Sequence, residues 1–258
     1  MAVGRGQLIS GMHMVGTKKS LGQHWLKNRA ILDEIARLAG EGGLCVEIGP
    51  GLGFLTSSLL KRFERVIAVE YDERLAENLP KSFPGKNLTV EKGDFLEYNL
   101  DFDEKYVIAG NIPYYITSPI LEKVLMADKL AEKVVLLMQK EVVERILDEK
   151  ETVLSLFVKN RAEVAAGLVV TREEFTPPPK VDSQVLVLEP HAPEVGEPVF
   201  ELILRAFRAP RKKLIHNLSD LRSREELIQV LEKIGVSPLA RPGDLHLNNY
   251  YDLYCAIM

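Results

Sequence analysis

The chain has 258 residues, 46% of them hydrophobic and 27% charged, which suits one large α/β domain or a main domain with a smaller one. No apolar run is long enough to span a bilayer, and the first residues lack the continuous hydrophobic segment of a secretory signal. The two cysteines, Cys45 and Cys255, lie far apart. They predict neither a disulfide framework nor a zinc site, so we expect a cytoplasmic protein.

The charge is unevenly distributed along the chain. A net charge of −4 argues by itself against a nucleic-acid binder. However, no acidic residue precedes Asp33, and residues 205–217 contain five basic residues and no acid. Because polyanion binding depends on local charge density, the pattern predicts two phosphate-binding regions. Two ordinary solvated faces that bind no phosphate would show the same numbers of basic and acidic residues.

The first two thirds of the chain alternate between short apolar runs and helical repeats, which predicts an α/β fold with a mostly parallel sheet. The last two predicted strands are expected to be antiparallel. The predicted strands are Leu44–Ile48, Arg65–Glu70, Leu88–Lys92, the run that begins at Val107, Val134–Met138, Val164–Thr171 and Gln184–Leu188. A helix that contains Ile31 and Leu38 is expected to end near Gly40, and another to start at Ser118 with Pro119 in its first position.

Glu189–Pro198 contains three prolines and a glycine and is the predicted domain boundary. Only helical patterns follow it, at Val199–Ala209, Arg211–Leu218, Arg224–Ile234 and Leu247–Ile257. The first residues are glycine-rich and show no periodicity. We therefore predict a weakly ordered arm (residues 1–17), a main α/β domain (18–190) and a helical C-terminal domain (198–258).

A glycine-rich loop, Gly49-Pro50-Gly51-Leu52-Gly53, follows the first strand, and Glu70 ends the next one 21 residues after Gly49. Such a loop brings backbone N–H groups close to a nucleotide-like ligand, and an acid at that offset binds ribose hydroxyls. The loop lacks the Gly-x-Gly-x-x-Gly pattern that binds a pyrophosphate. It therefore favours a single nucleoside, such as S-adenosylmethionine.

After the third strand, Gly93-Asp94-Phe95 offers an acid for an adenine amine and an aromatic ring beside it. Asp94 could equally be the N-cap of a helix.

Asn111-Ile112-Pro113-Tyr114 stands where the next strand ends, which is where open α/β sheets bind their ligands. Asn111 can accept a hydrogen bond from an exocyclic amine, Pro113 stiffens the turn, and Tyr114 can stack on a base. The tetrapeptide resembles the target-base motif of amino-methyltransferases. The same residues would also fit a plain strand end followed by a proline turn. Phe175 precedes a triple proline and could hold a ring over the cleft or simply fill the core.

Seven motifs in order, and one in the tail, resemble the small-subunit rRNA adenine dimethyltransferases, the kasugamycin-resistance methyltransferase family with its archaeal and eukaryotic relatives. The resemblance runs from Lys18 to the C-terminus. Its motifs are LGQHWL, VEIGPGLG, VIAVEYD, GDF, GNIPYYITSP, MQKEVVER, FTPPPKVDS and the tail motif AFRAPRKKL.

The resemblance implies a Rossmann-like class I methyltransferase with a mostly parallel seven-stranded sheet and a small all-helical C-terminal domain. Its cofactor would be S-adenosylmethionine without a metal. A monomer would act on the small ribosomal subunit or its precursor rRNA, late in ribosome assembly, and make N(6),N(6)-dimethyladenosine. Two alternatives remain: a large-subunit adenine methyltransferase of the macrolide-resistance type, and an assembly factor whose catalysis is secondary.

The resemblance also implies a role for each matching residue. Those that would bind the cofactor are Gln23, His24, Leu26, Gly49, Gly51, Glu70, Asp94, Phe95 and Asn111. Those that would form the base site are Asn111, Pro113, Tyr114 and Phe175. Those that would hold the RNA backbone are Lys18, Lys19, Arg208, Arg211, Lys212 and Lys213.

The chain departs from the family in two places. His24-Trp25 replaces the usual Asn-Phe, which alters the predicted cofactor lid, and residues 147–151 are short and acidic. The second departure puts in doubt any RNA contact made by that segment.

Overall fold

The computed structural model describes residues 23–258. The predicted arm and the predicted RNA-binding residues Lys18 and Lys19 lie outside this range. Contacts divide the described chain into two compact units. The first contains residues 23–140 and 166–189, and the second contains residues 141–165 and 190–258.

The described strands form two sheets. They are β1 (Trp25–Leu26), β2 (Gly42–Ile48), β3 (Phe63–Glu70), β4 (Leu88–Lys92), β5 (Tyr106–Asn111), β6 (Lys133–Gln139), β7 (Ala162–Val170), β8 (Phe175–Thr176) and β9 (Ser183–Pro190). Seven of them follow the order β4-β3-β2-β5-β6-β9-β7, and β1 pairs with β8.

The large sheet confirms the predicted α/β fold with a mostly parallel seven-stranded sheet. The four pairings from β4 to β6 are parallel, whereas β9 runs antiparallel to β6. The central strands are apolar and buried, and every residue from Val134 to Met138 is fully buried. Strands that are covered on both faces read as continuous hydrophobic runs, which is why the sequence pattern located them.

The helices of the first unit pack against this sheet. They are α1 (Arg29–Ala39), α2 (Phe54–Leu59), α3 (Glu73–Ser82) and α4 (Thr117–Leu125). The Asn28 side chain caps the start of α1, and Gly40, at φ 101°, ends it as predicted. Helix α4 begins one residue before Ser118, so Pro119 is its third residue rather than its first. A single 3₁₀ turn, Tyr114–Ile116, leads into it.

The small sheet was not predicted, since two-residue strands are too short to show a periodic pattern. Trp25 pairs with Thr176 and Leu26 pairs with Phe175 in antiparallel register. This pairing places Phe175 in a hydrophobic core with residues of α1 and α2, including Leu32 and Leu59.

The second unit is mainly helical. Its helices are α5 (Lys140–Leu147), α6 (Val153–Lys159), α7 (Glu197–Ala206), α8 (Leu214–Asn217), α9 (Arg224–Lys233) and α10 (Leu247–Ile257). Helix α8 is much shorter than the predicted Arg211–Leu218, because the extended backbone of Lys213 (φ −62°, ψ 150°) precedes its first residue. Helix α7 ends before the predicted Ala209, because Pro210 disfavours helical backbone at that residue.

Residues 141–165 belong to the second unit, although the predicted main domain ran without interruption from 18 to 190. Leu156 lies in the hydrophobic core of the C-terminal helices. The Asn160 side chain donates to the Val195 carbonyl over 3.2 Å and accepts from its N–H over 2.8 Å. The second division falls between Glu189 and Pro190, inside the proline-rich stretch.

No helix within residues 23–258 has both the length and the apolar character needed to cross a membrane.

Candidate active site

A cavity of about 370 Å³ opens at the carboxyl ends of β2, β3 and β5 in the first unit. Its walls come from the segments that follow these strands and from the residues around β1. The predicted site residues that line it are Gln23, His24, Leu26, Gly49, Gly51, Glu70, Asp94, Phe95, Asn111, Pro113 and Tyr114. The sequence motifs therefore meet at one place, although 91 positions separate the first from the last (114 − 23).

The glycine-rich loop is fixed to the end of β3 by Glu70. The Gly51 N–H donates to Glu70 Oε2 over 3.0 Å, and the Asp72 N–H donates to Oε1 over 2.7 Å. Gly49 and Gly51 have φ values of 62° and 57°, a left-handed backbone that favours glycine. Glu70 is buried, and burial raises the pKa of its carboxyl above the ordinary value. Its carboxyl group lies at the cavity wall, where its oxygens can accept a hydroxyl group of a ligand.

Asp94 caps a turn, which is close to one of the two roles that the sequence left open. Its Oδ1 accepts from the Leu96 N–H over 2.9 Å and so caps the turn that follows β4. Within residues 23–258 no donor bonds Oδ2, which leaves one carboxylate oxygen for a ligand amine. Phe95 is buried beside it and adds an apolar face to the cavity.

The segment before α1 forms one side of the cavity. His24 Nδ1 lies 2.8 Å from the Pro177 carbonyl oxygen, which ties this segment to the triple-proline loop. Trp25 lies against Gly51, where a Cβ would come within 3.6 Å of the indole nitrogen. The altered pair His24-Trp25 is therefore part of the cavity wall.

Asn111 ends β5 with a fixed side chain. Its Nδ2 donates to the His24 carbonyl over 3.1 Å, which leaves Oδ1 as the free acceptor of the amide. The Ile112 N–H donates to the Leu137 carbonyl over 3.2 Å, and the Pro113 carbonyl accepts from Ile116 over 3.3 Å. The Ile112 carbonyl accepts no hydrogen bond from the residues that the structure describes. Two oxygens from adjacent residues thus remain available at the cavity.

Tyr114 is held at both ends of its ring. Its hydroxyl lies 2.7 Å from Ser183 Oγ, and its ring stacks on His24 with centroids 6.1 Å apart. Burial raises the pKa of the phenol above its ordinary value, so it stays neutral. The ring is half-buried and keeps part of one face at the cavity.

Phe175 does not line the cavity. It is only 3% exposed and lies in the hydrophobic core through its pairing with Leu26. Of the two positions that the sequence allowed, the structure shows the one in which the ring fills the core. The periodicity could not decide this, because the β1–β8 pairing that buries the ring joins distant parts of the chain.

Gly110 allows β5 and β2 to pair closely where both strands reach the cavity. A Cβ at Gly110 would lie 2.9 Å from the Ile48 carbonyl oxygen on the adjacent strand. Real Cβ atoms essentially never approach backbone oxygen so closely, so β5 and β2 can pair here only with glycine. Gly110 thereby places Asn111 next to the glycine-rich loop.

Comparisons with known proteins show the family of this chain. A family model described as ribosomal RNA adenine dimethylase matches residues 14–257. The chain belongs to the ribosomal RNA adenine dimethylase family. Two members, both named ribosomal RNA small subunit methyltransferase A, come from Mycoplasma mobile and a Nostoc species. The first is 35% identical, over 92% of this chain and 96% of its own. The second is 36% identical, over 93% and 97%.

Solved structures share the fold of this chain. A dimethyladenosine transferase from Plasmodium falciparum matches with a TM-score of 0.77 and 29% identity, over 89% of this chain and 96% of its own. The 23S rRNA methyltransferase ErmE matches with a TM-score of 0.76 and 26% identity, over 90% and 99%. These likenesses confirm the class I methyltransferase fold.

The cavity lining also includes Glu47, Tyr71 and Tyr115, which the sequence reasoning did not single out. Glu47 lies on β2, is 1% exposed, and its Oε2 has no hydrogen-bond partner among residues 23–258. Burial, together with the nearby Glu70 carboxyl, raises the pKa of Glu47 to about 8. An acid inside the apolar run Leu44–Ile48 was a visible signal of a functional position.

The predicted RNA-binding residues of the C-terminal region lie together in the second unit. Arg208, Arg211, Lys212 and Lys213 are all exposed. They belong to the turns between α7 and α8 rather than to a helix, because Ala209-Pro210 interrupts the helical backbone. Arg208 lies 3.6 Å from Asp220, which Arg205 also binds.

Among residues 23–258, no cluster of three His, Cys, Asp or Glu side chains is arranged to hold a metal ion.

Proposed function

We propose that this protein transfers methyl groups from S-adenosylmethionine to the exocyclic amines of adenines in small-subunit rRNA and makes N(6),N(6)-dimethyladenosine late in ribosome assembly. The observation that carries the proposal is the pair of free acceptors, Asn111 Oδ1 and the Ile112 carbonyl, beside a nucleoside-sized cavity. Two acceptors on adjacent residues match the two N–H groups of an adenine amine.

The cavity has the groups that S-adenosylmethionine requires. Glu70 offers buried carboxylate oxygens for the ribose hydroxyls, and the free oxygen of Asp94 suits the adenine amine. Phe95 and the exposed ring of Tyr71 provide apolar faces for the base. When bound, this cofactor supplies an electrophilic methyl group on a positively charged sulfonium. The carboxyl groups of Glu70 and Asp94 at the cavity favour a cationic ligand.

The residues around Asn111 would activate the target amine by accepting its hydrogens. The lone pair of an exocyclic amine is conjugated into the adenine ring, so the nitrogen is a poor nucleophile. Hydrogen bonds to Asn111 Oδ1 and to the Ile112 carbonyl favour the pyramidal nitrogen of the transition state, where the lone pair is free. Since the Asn111 amide is already fixed by His24 and the Ile112 backbone by Leu137, little reorganisation is required.

Tyr114 would hold the plane of the adenine. The target base must leave its stack to reach the cavity, and an aromatic face compensates for the stacking that it loses. The fixed ring of Tyr114, held by Ser183 and His24, suits this role. Phe175, predicted as a second face, would support the floor of the site from within the core.

The exposed basic residues of the second unit would contact the rRNA backbone. Phosphate contacts position a protein on RNA without reading its sequence. We assign this role to Arg208, Arg211, Lys212 and Lys213, as the resemblance implied, and keep Lys18 and Lys19 as predicted partners. The two unpaired cysteines, Cys45 and Cys255, suit a reducing compartment such as the cytoplasm, where we expect the protein to act as a monomer.

The test is methyl transfer from labelled S-adenosylmethionine to immature small ribosomal subunits, with large subunits and free adenosine as controls. Digested products are separated as mono- and dimethyladenosine. We expect dimethyladenosine with small subunits only. Label in large-subunit RNA would instead support the macrolide-resistance type of activity. The likeness to the 23S rRNA methyltransferase ErmE is the reason for this control. Tight cofactor binding without any transfer would refute the proposal and leave the assembly-factor alternative.

A further inference from the structure

The base site has an exposed aromatic ring that the roles assigned above do not use. Tyr115 follows Tyr114 directly, lines the same cavity and is 63% exposed. A single exposed tyrosine on a protein surface is ordinary. This one is distinguished by its place at the mouth of the cavity, four residues after Asn111.

The backbone fixes the direction of this ring. Tyr114–Ile116 form one 3₁₀ turn, closed by the bond from the Ile116 N–H to the Pro113 carbonyl. A 3₁₀ turn has three residues, so the side chains of neighbours diverge by about 120°. Tyr114 is turned inward to Ser183, and Tyr115 is therefore turned away from it, toward solvent. The Ile112 N–H bond on one side and helix α4 on the other keep the turn in place.

A nucleotide that flanks a flipped adenine needs such a ring. When the target base leaves its stack, the neighbouring base loses a stacking partner on the side that faces the protein. Single-stranded RNA is bound through aromatic side chains that stack on successive bases. Phe175 is buried and cannot serve here, whereas Tyr115 presents a largely free face beside the target site.

We infer that Tyr115 is a second stacking face, which holds the unpaired base next to the target adenine while Tyr114 holds the target itself. The inference rests on the proposed function and adds a substrate requirement to it. One face of the flanking base must be accessible to the ring, so the KM for the RNA should depend on that nucleotide.

The first experiment compares Tyr115→Ala, Tyr115→Leu and Tyr115→Phe in steady-state methylation of immature small subunits. Base stacking on an aromatic ring predicts a rise in KM for the subunit on the order of 10-fold for Ala and Leu, and little change for Phe. The affinity for S-adenosylmethionine, measured by calorimetry, should stay the same in all three. Leucine keeps apolar area without an aromatic face, so a normal KM for Tyr115→Leu would overturn stacking as the cause.

A matched control is Tyr251→Ala, which removes a tyrosine of similar exposure from α10 in the second unit. We expect its KM for the subunit to equal that of the unchanged protein. An equal rise in KM for Tyr251→Ala and Tyr115→Ala would mean that the loss of any exposed tyrosine weakens binding, and would overturn the assignment.

The decisive experiment removes the partner on the RNA. Small subunits are reconstituted with rRNA that carries an abasic nucleotide on the 5′ or the 3′ side of the target adenine. At one of these positions the abasic site should raise the KM of the unchanged protein as much as Tyr115→Ala does, and the two changes together should cost no more than one alone. Independent, multiplying effects at both positions would refute the inference. Failure of the unchanged protein to methylate small subunits would instead refute the proposed function.

Discussion

The side-chain amide of Asn111 donates to the backbone carbonyl of His24 over 3.1 Å, although 87 positions separate the two residues. This bond fixes which end of the amide is a donor and which is free to accept. It also connects the segment before α1, which lines the cofactor end of the cavity, with the strand end that would receive the target base. The orientation of the proposed catalytic acceptor therefore depends on a backbone group from another part of the chain.

We predict that Asn111→Ala lowers kcat for methyl transfer by about 100- to 1000-fold, the usual cost of removing one preorganised group that stabilises a transition state. Asn111→Asp keeps an acceptor oxygen but loses the donor to His24, so it should lose activity through misorientation. Both are checked by single-turnover transfer to immature small subunits. Retained transfer by Asn111→Ala would exclude the side-chain oxygen as an essential acceptor.

The buried Glu47 carboxyl predicts a pH-dependent stability. Its pKa is raised from 4.5 to about 8 in the folded protein, so between these values the folded state holds a proton that the unfolded state has released. The free energy of unfolding should therefore fall as the pH rises from about 5 to 8, with a slope of up to about 1.4 kcal/mol per pH unit from this group. Above the folded pKa the contribution becomes constant.

The measurement is urea unfolding at several pH values, with Glu47→Gln beside the unchanged protein. Glutamine cannot ionise, so we expect the variant to lose this part of the pH dependence and to be relatively more stable at pH 9 than at pH 5. Glu64→Gln, an exposed position on β3, is the control. Identical pH profiles for all three proteins would contradict the assigned protonation of Glu47.

The basic turns between α7 and α8 predict a salt-dependent contact with RNA. Replacing Arg211, Lys212 and Lys213 by alanine should weaken subunit binding and reduce the slope of log K against log salt by about 2, if each residue neutralises one phosphate of single-stranded RNA. The affinity for S-adenosylmethionine should not change. Lys233→Ala, an exposed position on α9, serves as control. An unaltered salt slope in the triple variant would place the RNA contact elsewhere.

Substitutions at Phe175 can distinguish a structural role of the ring from a direct contact with the base. Phe175→Ala should lower the free energy of unfolding by about 3–5 kcal/mol, because the ring is buried in the core. Phe175→Leu preserves most of the volume and should cost less than about 1.5 kcal/mol. If the ring only supports the site, the leucine variant will keep most of its activity. Loss of activity in a stable Phe175→Leu protein would mean that the aromatic face itself contacts the base.

The sequence predicted the sheet and the cavity edge well, because buried parallel strands are continuous apolar runs and their ends carry the glycine loop, Glu70, Asp94 and Asn111. Features that depend on distant pairing were not predictable in the same way. The pairing of β1 with β8 buries Phe175, and Leu156 joins the core of the C-terminal helices. Neither contact leaves a local pattern in the chain.

Some signals were present but not used. Glu47 interrupts an apolar strand, and Tyr115 directly follows the last residue of the motif to which a role was assigned. Which of two adjacent tyrosines points inward depends on the 3₁₀ turn, and the sequence alone does not indicate that turn.

A substitution at Gly110 would affect catalysis through the spacing of the strands. The absence of a single methyl group lets β5 and β2 approach closely where Ile48 and Asn111 end them. A larger residue would separate the strands by tenths of an ångström, enough to misalign a transfer reaction without destroying either binding site. Such a protein would still bind both of its ligands but would not transfer the methyl group between them. The reacting distance would thus depend on the spacing of two strands as well as on the side chains in the cavity.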